Sequence, residues 1–181
     1  MSTVAAESTS PPQVIAHTKL DYAIVALSIG FIFVLLFSGY FERDVLVLHL
    51  FQSLIYVAVA ALSWRHSKWG YAAGICVAAL WNAYNIKSGF VFDAGFRQWS
   101  AWLETGEIKN PVHWIAPPAW FDHALLIVAC VWAYLRLPDK RISDAAVFVG
   151  ASALTIGYFS LILGLMGSRF LQRSLEWLGL G

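Results

Sequence analysis

Long apolar runs separated by short polar stretches dominate the pattern of this chain. The runs cover residues 22–41, 45–64, 69–86, 118–135 and 145–167, and only the fourth contains a charged residue, Asp122. A transmembrane helix needs about 20 apolar residues to cross a hydrocarbon core of roughly 30 Å at 1.5 Å per residue. The pattern therefore predicts an all-α integral membrane protein with about five transmembrane helices.

Two further segments have the pattern of short amphipathic helices. Residues 92–105 place large apolar side chains at helical spacing with polar ones between them, and residues 168–180 alternate in the same way. Both segments are predicted to lie in the membrane interface. Residues 110–117, which run into a Pro-Pro pair, are predicted to be non-helical because proline disrupts helices. Helix four is then expected to begin at Pro118.

Composition supports one membrane domain. Hydrophobic residues make up 59% of the chain and charged residues 13%, about half the share in a soluble domain. Residues 1–16 are predicted to be a disordered tail, and residues 17–181 a single transmembrane domain. The net charge of +1 gives no case for nucleic-acid binding. The expected partners are the lipid bilayer and other membrane subunits, or a second copy of the chain.

The loops differ in charge. Residues 65–68 and 136–144 together carry five Lys and Arg residues, whereas residues 42–44 carry one. By the positive-inside rule, the basic loops and the N-terminus are predicted to be cytoplasmic, although Arg169 and Arg173 oppose this orientation. The expected location is a prokaryotic inner membrane.

Small residues recur at helical spacing on two predicted helices. In the third helix they are Gly70, Gly74 and Ala78, and the same face continues to Asn82 and Asn85. In the fifth helix they are Gly150, Ala153, Gly157, Ser160, Gly164 and Gly167. Such stripes let helix backbones approach closely in lipid. The first stripe predicts that Asn82 and Asn85 face protein.

Polar side chains on four helices fall at a similar predicted depth. His49, Asn82, His123 and Ser160 each lie one to two turns from the same end of the bundle, and Gln52 continues the face of His49 inward. These five residues are the predicted binding site. Tyr56 extends the same face.

Two imidazoles at one depth suit axial ligation. His49 and His123 are predicted to ligate one haem, or singly a chlorophyll-type pigment, with Asn82 or Ser160 accepting the second ring N–H. A metal ion with Asp122 or Asp44 as carboxylate ligand is a further hypothesis. The structural alternative is that these polar groups only hydrogen-bond between helices.

No catalytic motif narrows the choice. HExxH, CxxC and paired histidines on one helix are absent, and Cys76 and Cys130 lie in apolar runs typical of packing residues. The expected function is an accessory subunit of a larger energy-converting, respiratory or photosynthetic membrane complex that holds a haem or pigment. The alternative is a membrane-embedded enzyme or metal-binding protein with a lipid-soluble substrate.

Overall fold

All regular secondary structure that the computed structural model describes, in residues 17–166 and at residue 176, is helical. A 3₁₀ turn, Arg43–Val45, leads into the second α-helix, and a π-helical segment, Phe90–Gly95, leads into the fourth. The α-helices are α1 Lys19–Phe41, α2 Leu46–Trp64, α3 Lys68–Lys87, α4 Phe96–Thr105, α5 Pro111–Leu135 and α6 Asp144–Met166. The predicted tail of residues 1–16 and, apart from residue 176, the predicted helix of residues 168–180 lie outside the described residues.

Within the described residues, four helices are long and apolar enough to cross a membrane. They are Lys19–Phe41, Arg43–Trp64, Pro111–Leu135 and Asp144–Leu165. The prediction of an all-helical protein is confirmed for the described residues, and these four helices are consistent with a multi-pass membrane protein. Helix α3 has 20 residues but is less apolar, because Asn82, Tyr84 and Asn85 lie near its end.

The helices pack around one core. Helix α1 contacts α2 and α5, while α3 contacts α2, α5 and α6. Helix α1 turns one face inward, because its buried residues Ile24, Ser28, Phe31 and Leu35 recur every three or four positions.

Glycines explain the tight α2–α3 hairpin. A Cβ atom at Gly70 would lie 2.5 Å from the backbone nitrogen of Ser63, and one at Gly74 would lie 3.1 Å from Cγ1 of Val59. Because Ser63 and Val59 belong to α2, the lack of a side chain at these positions lets α3 approach α2 closely. The small-residue stripe of α3 is a packing surface, as predicted.

Helix α5 begins seven residues earlier than predicted, so the prediction of a non-helical segment at residues 110–117 is wrong. Asn110 caps the helix, since its side-chain oxygen accepts a hydrogen bond of 3.0 Å from the backbone N–H of His113. Pro111 occupies the first helical position, where proline is well tolerated.

The two prolines inside α5 are accommodated by a neighbouring element. Pro118 has no N–H to donate to the carbonyl of Trp114, four residues earlier. The indole N–H of Trp99 in α4 donates to that carbonyl instead, at 2.7 Å. Gly95 packs against Pro117, where a Cβ would approach the proline ring to 2.9 Å. The Phe90–Gly95 segment and α4 therefore pack against the proline-containing part of α5.

The predicted interfacial helix at residues 92–105 corresponds to the π-helical segment plus α4. Within it, Gln98 is buried, whereas Leu103 is 74% exposed. The helix docks through Trp99 rather than through Leu103.

The bundle has two chemically different ends. We call the end that holds the α2–α3 turn the turn end, where Lys68 at the start of α3 bonds Asp144 at the start of α6 at 3.0 Å. We call the opposite end the loop end, and it holds the α1–α2 junction and the segment between α3 and α5.

Candidate functional site

His123 lies at the centre of the bundle and is completely buried. Its ring contacts Phe31 of α1 and Trp81 of α3, with centroid distances of 3.8 and 4.7 Å, and these two rings also contact each other at 5.3 Å. The Tyr56 hydroxyl of α2 lies 2.6 Å from Nε2 of His123. We call Phe31, Tyr56, Trp81 and His123 the His123 cluster. It joins four helices.

The second nitrogen of this ring, Nδ1, has no hydrogen-bond partner among the described residues. The Ala119 carbonyl, one turn earlier in α5, lies near the ring but outside hydrogen-bond geometry. A neutral ring protonated at Nδ1 fits this arrangement, with the Tyr56 hydroxyl donating to Nε2. Nε2 is then occupied by protein.

His49 has a different environment at the loop end. It is the fourth residue of α2 and is half-buried. Its Nδ1 lies 2.9 Å from the carbonyl oxygen of Leu35 in α1. Because a carbonyl can only accept, Nδ1 carries the proton and donates, and the neutral ring presents a lone pair at Nε2. One backbone contact thus fixes both the orientation and the tautomer.

A cavity of about 530 Å³ adjoins His49 between α1, α2, α3 and α5. We call it the His49 cavity. Aromatic side chains of Phe31, Trp81 and Phe90 form part of its wall. Its polar lining residues are Ser38, Glu42, Asp44, His49, Tyr84 and Asn85. The cavity therefore combines an apolar wall with hydrogen-bonding groups and two acids at the α1–α2 junction.

The two histidines do not lie in one layer, contrary to the expectation from helix ends. His49 bonds to Leu35 of α1, whereas His123 packs on Phe31, four residues deeper along the same helix. At 1.5 Å per residue this is a difference of about 6 Å, or one turn. The early start of α5 explains it, because His123 lies at the middle of that helix rather than near its end.

Ligation of one haem by both histidines requires a free ring nitrogen on each. Nε2 of His123 lies 2.6 Å from the Tyr56 hydroxyl, whereas Nδ1 has no partner among the described residues. His123 is fully buried and does not line the His49 cavity, so this cavity does not open onto both rings. The shared haem stays a prediction.

The other predicted site residues are also separated. Asn82 is buried, and its side-chain oxygen has no hydrogen-bond partner in the described residues, but it does not line the cavity. Gln52 is half-buried and also outside the cavity lining. Ser160 is exposed on α6 and does not line the cavity. From α6, Tyr158 reaches α2 instead, donating to the Phe51 carbonyl at 2.8 Å.

Asp122 lies near the middle of α5 rather than in its first or second turn, because the helix begins at Pro111. It lies eleven residues after Pro111, and one carboxylate oxygen is buried without a hydrogen-bond partner in the described chain. Its other oxygen faces α1, 3.4 Å from where a Cβ of Gly30 would lie. It is not among the lining residues of the His49 cavity.

Sequence reasoning missed the packing partners of His123 and the cavity itself. Phe31 and Trp81 lie in apolar runs, where an aromatic residue carries no signal of its own. A central tyrosine and a central histidine on different spans were the available signal, because a buried hydroxyl and a buried imidazole each need a partner.

No protein-family model matches the chain, and neither a curated protein nor a solved structure matches it. The geometry of the site therefore carries the functional argument.

Proposed function

We propose that this is a multi-pass membrane protein that binds a small lipid-soluble ligand in the His49 cavity. The observation that carries the proposal is the orientation of His49. Leu35 holds Nδ1, and the ring lines a space of about 530 Å³. Ligand sites typically have volumes of about 300–1,000 Å³, mostly apolar walls and a few placed polar groups.

The lining defines the class of ligand. Nε2 of His49 accepts hydrogen bonds, so the ligand needs a donor such as a hydroxyl or an amine. Glu42 and Asp44 at the α1–α2 junction disfavour carboxylates and phosphates by charge repulsion. The aromatic wall suits a flat or ring-bearing apolar body. A phenol, a quinol or an apolar amine meets all three conditions.

The test is equilibrium binding to purified protein in lipid nanodiscs. The ligand pair is a short-chain quinol and its dimethyl ether, which keeps the ring but lacks donors. We expect the quinol to bind at least tenfold more tightly, because only it can donate to His49.

The matched variants are His49→Ala and His113→Ala. His113 is also half-buried at the loop end but does not line the cavity. We expect at least a tenfold loss of quinol binding in His49→Ala and no change in His113→Ala. Equal binding by both variants, or no binding by the wild-type protein, contradicts the proposal.

A haem or chlorophyll-type pigment on His49 alone is the second candidate. Histidines that ligate metals almost always donate the other ring N–H to a carbonyl or carboxylate, as His49 does to Leu35. The acids at the junction oppose haem propionates, which is why this candidate ranks second. An absorption spectrum of protein expressed with cofactor available tests it, and a colourless preparation removes it.

The expected role as an accessory subunit is supported by the surface of α6. Gly157 and Gly164 have no atom of the described chain within 4 Å of an added Cβ. An open small-residue face suits close contact with another helix, from a second subunit or a second copy. Native gel electrophoresis of mild-detergent extracts tests this, since a monomer without co-purifying protein contradicts it. A membrane enzyme acting on the bound ligand stays the alternative.

We further propose that α3 is a fifth span, with the N-terminus and the turn end in the cytoplasm. Helix α3 contacts α2, α5 and α6 and begins at the basic turn. Single-cysteine labelling in a background without native cysteines tests the topology. Ser67→Cys and Glu107→Cys should be labelled from opposite sides, and labelling from the same side contradicts it. A prokaryotic inner membrane stays the predicted location.

A further inference from the structure

Three potential metal ligands meet at the turn end, on the far side of the bundle from the His49 cavity. His17 lies two residues before the start of α1, Asp21 lies in the first turn of α1, and His66 lies in the α2–α3 turn. One ligand atom from each lies within 4.8 Å of the other two.

The Asp21 carboxylate is buried and already oriented. One oxygen, Oδ2, accepts hydrogen bonds from the backbone N–H of Thr18 at 2.6 Å and from its hydroxyl at 2.9 Å. The other oxygen, Oδ1, lies 3.5 Å from Nδ1 of His66. Two ligands of a tetrahedral ion with bonds of about 2.1 Å lie about 3.4 Å apart. The observed separation therefore fits two ligands of one ion.

His66 occupies a backbone position that normally selects glycine. The N–H groups of His66 and Ser67 bond to the carbonyls of Ser63 and Leu62, which is a Schellman ending of α2. His66 has φ of 54°, in the left-handed region that glycine adopts without strain. Its Nε2 is buried and has no hydrogen-bond partner in the described residues. Turn geometry therefore does not require a histidine at this position, and its Nδ1 lies 3.5 Å from the Asp21 carboxylate.

His17 completes the group from the outer side. It is exposed, and its ring stacks on the ring of Trp64 at a centroid distance of 3.7 Å. It also stacks on the ring of His66, at a centroid distance of 5.3 Å. Because this side chain is exposed and lies ahead of the first helical residue, it can move. A short movement brings its ring nitrogen, which lies within 4.8 Å of the other two ligand atoms, to the spacing of ligands on one ion. The stacked Trp64 limits where it can move.

We propose that His17, Asp21 and His66 form a binding site for a divalent transition metal ion of the Zn²⁺ type. Two imidazole nitrogens and one carboxylate oxygen are a common three-ligand set for zinc, with water in the fourth position. Calcium and magnesium prefer all-oxygen sites and fit this set poorly. The bound ion joins the start of α1 to the α2–α3 turn.

The experiment is a Zn²⁺ titration of tag-free, chelator-treated, full-length protein in nanodiscs, followed by calorimetry and by thermal unfolding. We expect one Zn²⁺ per chain and a rise in Tm with Zn²⁺, because an ion that binds only the folded state stabilises it. Co²⁺ in place of Zn²⁺ should give visible bands of a tetrahedral site.

Three variants make the outcome decisive. His66→Gly removes a ligand while favouring the same turn, so it should stay folded, lose at least tenfold in Zn²⁺ affinity and lose the Tm rise. His17→Ala should weaken Zn²⁺ binding with little change in the Tm of the metal-free protein. His113→Ala is the control and should bind as the wild type does.

Two results overturn the proposal. One is wild-type protein that binds no Zn²⁺ at 100-fold molar excess. The other is His66→Gly and His17→Ala variants that both bind as tightly as the control. Because these residues lie at the opposite end from His49, either result leaves the ligand proposal for the cavity unaffected.

Discussion

His49 and His123 have similar sequence settings but different surroundings. Both interrupt apolar runs, yet the His123 ring is enclosed by Phe31, Tyr56 and Trp81, whereas His49 has one backbone partner and adjoins a cavity. A polar side chain that protein encloses on all sides contributes to stability. A histidine that has one ring nitrogen fixed and open space beside the ring can bind a ligand. We therefore expect substitutions in the His123 cluster to change the free energy of unfolding, and substitutions around the His49 cavity to change ligand affinity.

The largest expected effect is on stability at the closed histidine. His123→Ala removes a fully buried ring and leaves the Tyr56 hydroxyl without its partner. We expect the free energy of unfolding to fall by about 3–5 kcal/mol, as for other buried rings cut back to alanine. Reversible unfolding in mixed detergent micelles measures it. His49→Ala is the comparison and should cost less than about 1 kcal/mol, since His49 is half-buried with one hydrogen bond.

The hydroxyl of Tyr56 should account for part of that effect. Tyr56→Phe leaves Nε2 of His123 buried and unpaired, which we expect to lower the unfolding free energy by about 2 kcal/mol. Tyr158→Phe is the matched control, because it also removes a hydroxyl that bonds between helices, but its hydroxyl is not enclosed. The same unfolding assay measures both, and equal losses would contradict the assignment of a closed, structural cluster.

The cavity can be blocked without touching His49. Ile115 lines it from α5, and Ile115→Trp adds bulk there. We expect at least a tenfold loss of quinol affinity, which corresponds to about 1.4 kcal/mol. Leu125→Trp places the same side chain at a position of α5 that is 56% exposed and should leave binding unchanged. Retained binding in Ile115→Trp would place the ligand elsewhere.

The smallest expected effect concerns the support of α5 beside the cavity. Trp99→Phe keeps the aromatic body but removes the N–H that donates to the carbonyl of Trp114. We expect a loss of about 0.5–1.5 kcal/mol in unfolding free energy, the usual contribution of one hydrogen bond. Trp102→Phe, in the same helix, is the control. If the loss in Trp99→Phe were no larger than in this control, the hydrogen bond from Trp99 to Trp114 would not be what stabilises the proline-containing part of α5.

The local sequence pattern is sufficient to predict the α2–α3 hairpin. The uncharged runs, the polar turn and the glycines at positions 70 and 74 predict its length and close packing, and the structure has both. The start of α5 is not predictable in this way, because local propensity counts Pro117 and Pro118 against a helix. The donor that offsets Pro118 comes from Trp99, which is distant along the chain and unmarked by any motif.

The predicted site fails for a related reason. When the depth of a residue is counted from a helix end, an error in that end becomes an error in depth. The seven-residue error in the start of α5 therefore changes the predicted depth of His123 by almost two turns. Its partner Tyr56 is 67 residues away along the chain, and their pairing depends on how the helices rotate about their axes. Sequence pattern predicts which residues are polar within a span. It does not predict whether packing closes around them.

The link between Tyr56 and His123 also constrains the order of biogenesis. Tyr56 is synthesised as part of α2, whereas His123 follows only after α4 and the first turns of α5 have been synthesised. A nascent chain that ends before Pro111 therefore contains the Tyr56 hydroxyl but not its partner His123. The contact that joins α2 to α5 can form only once α5 is present.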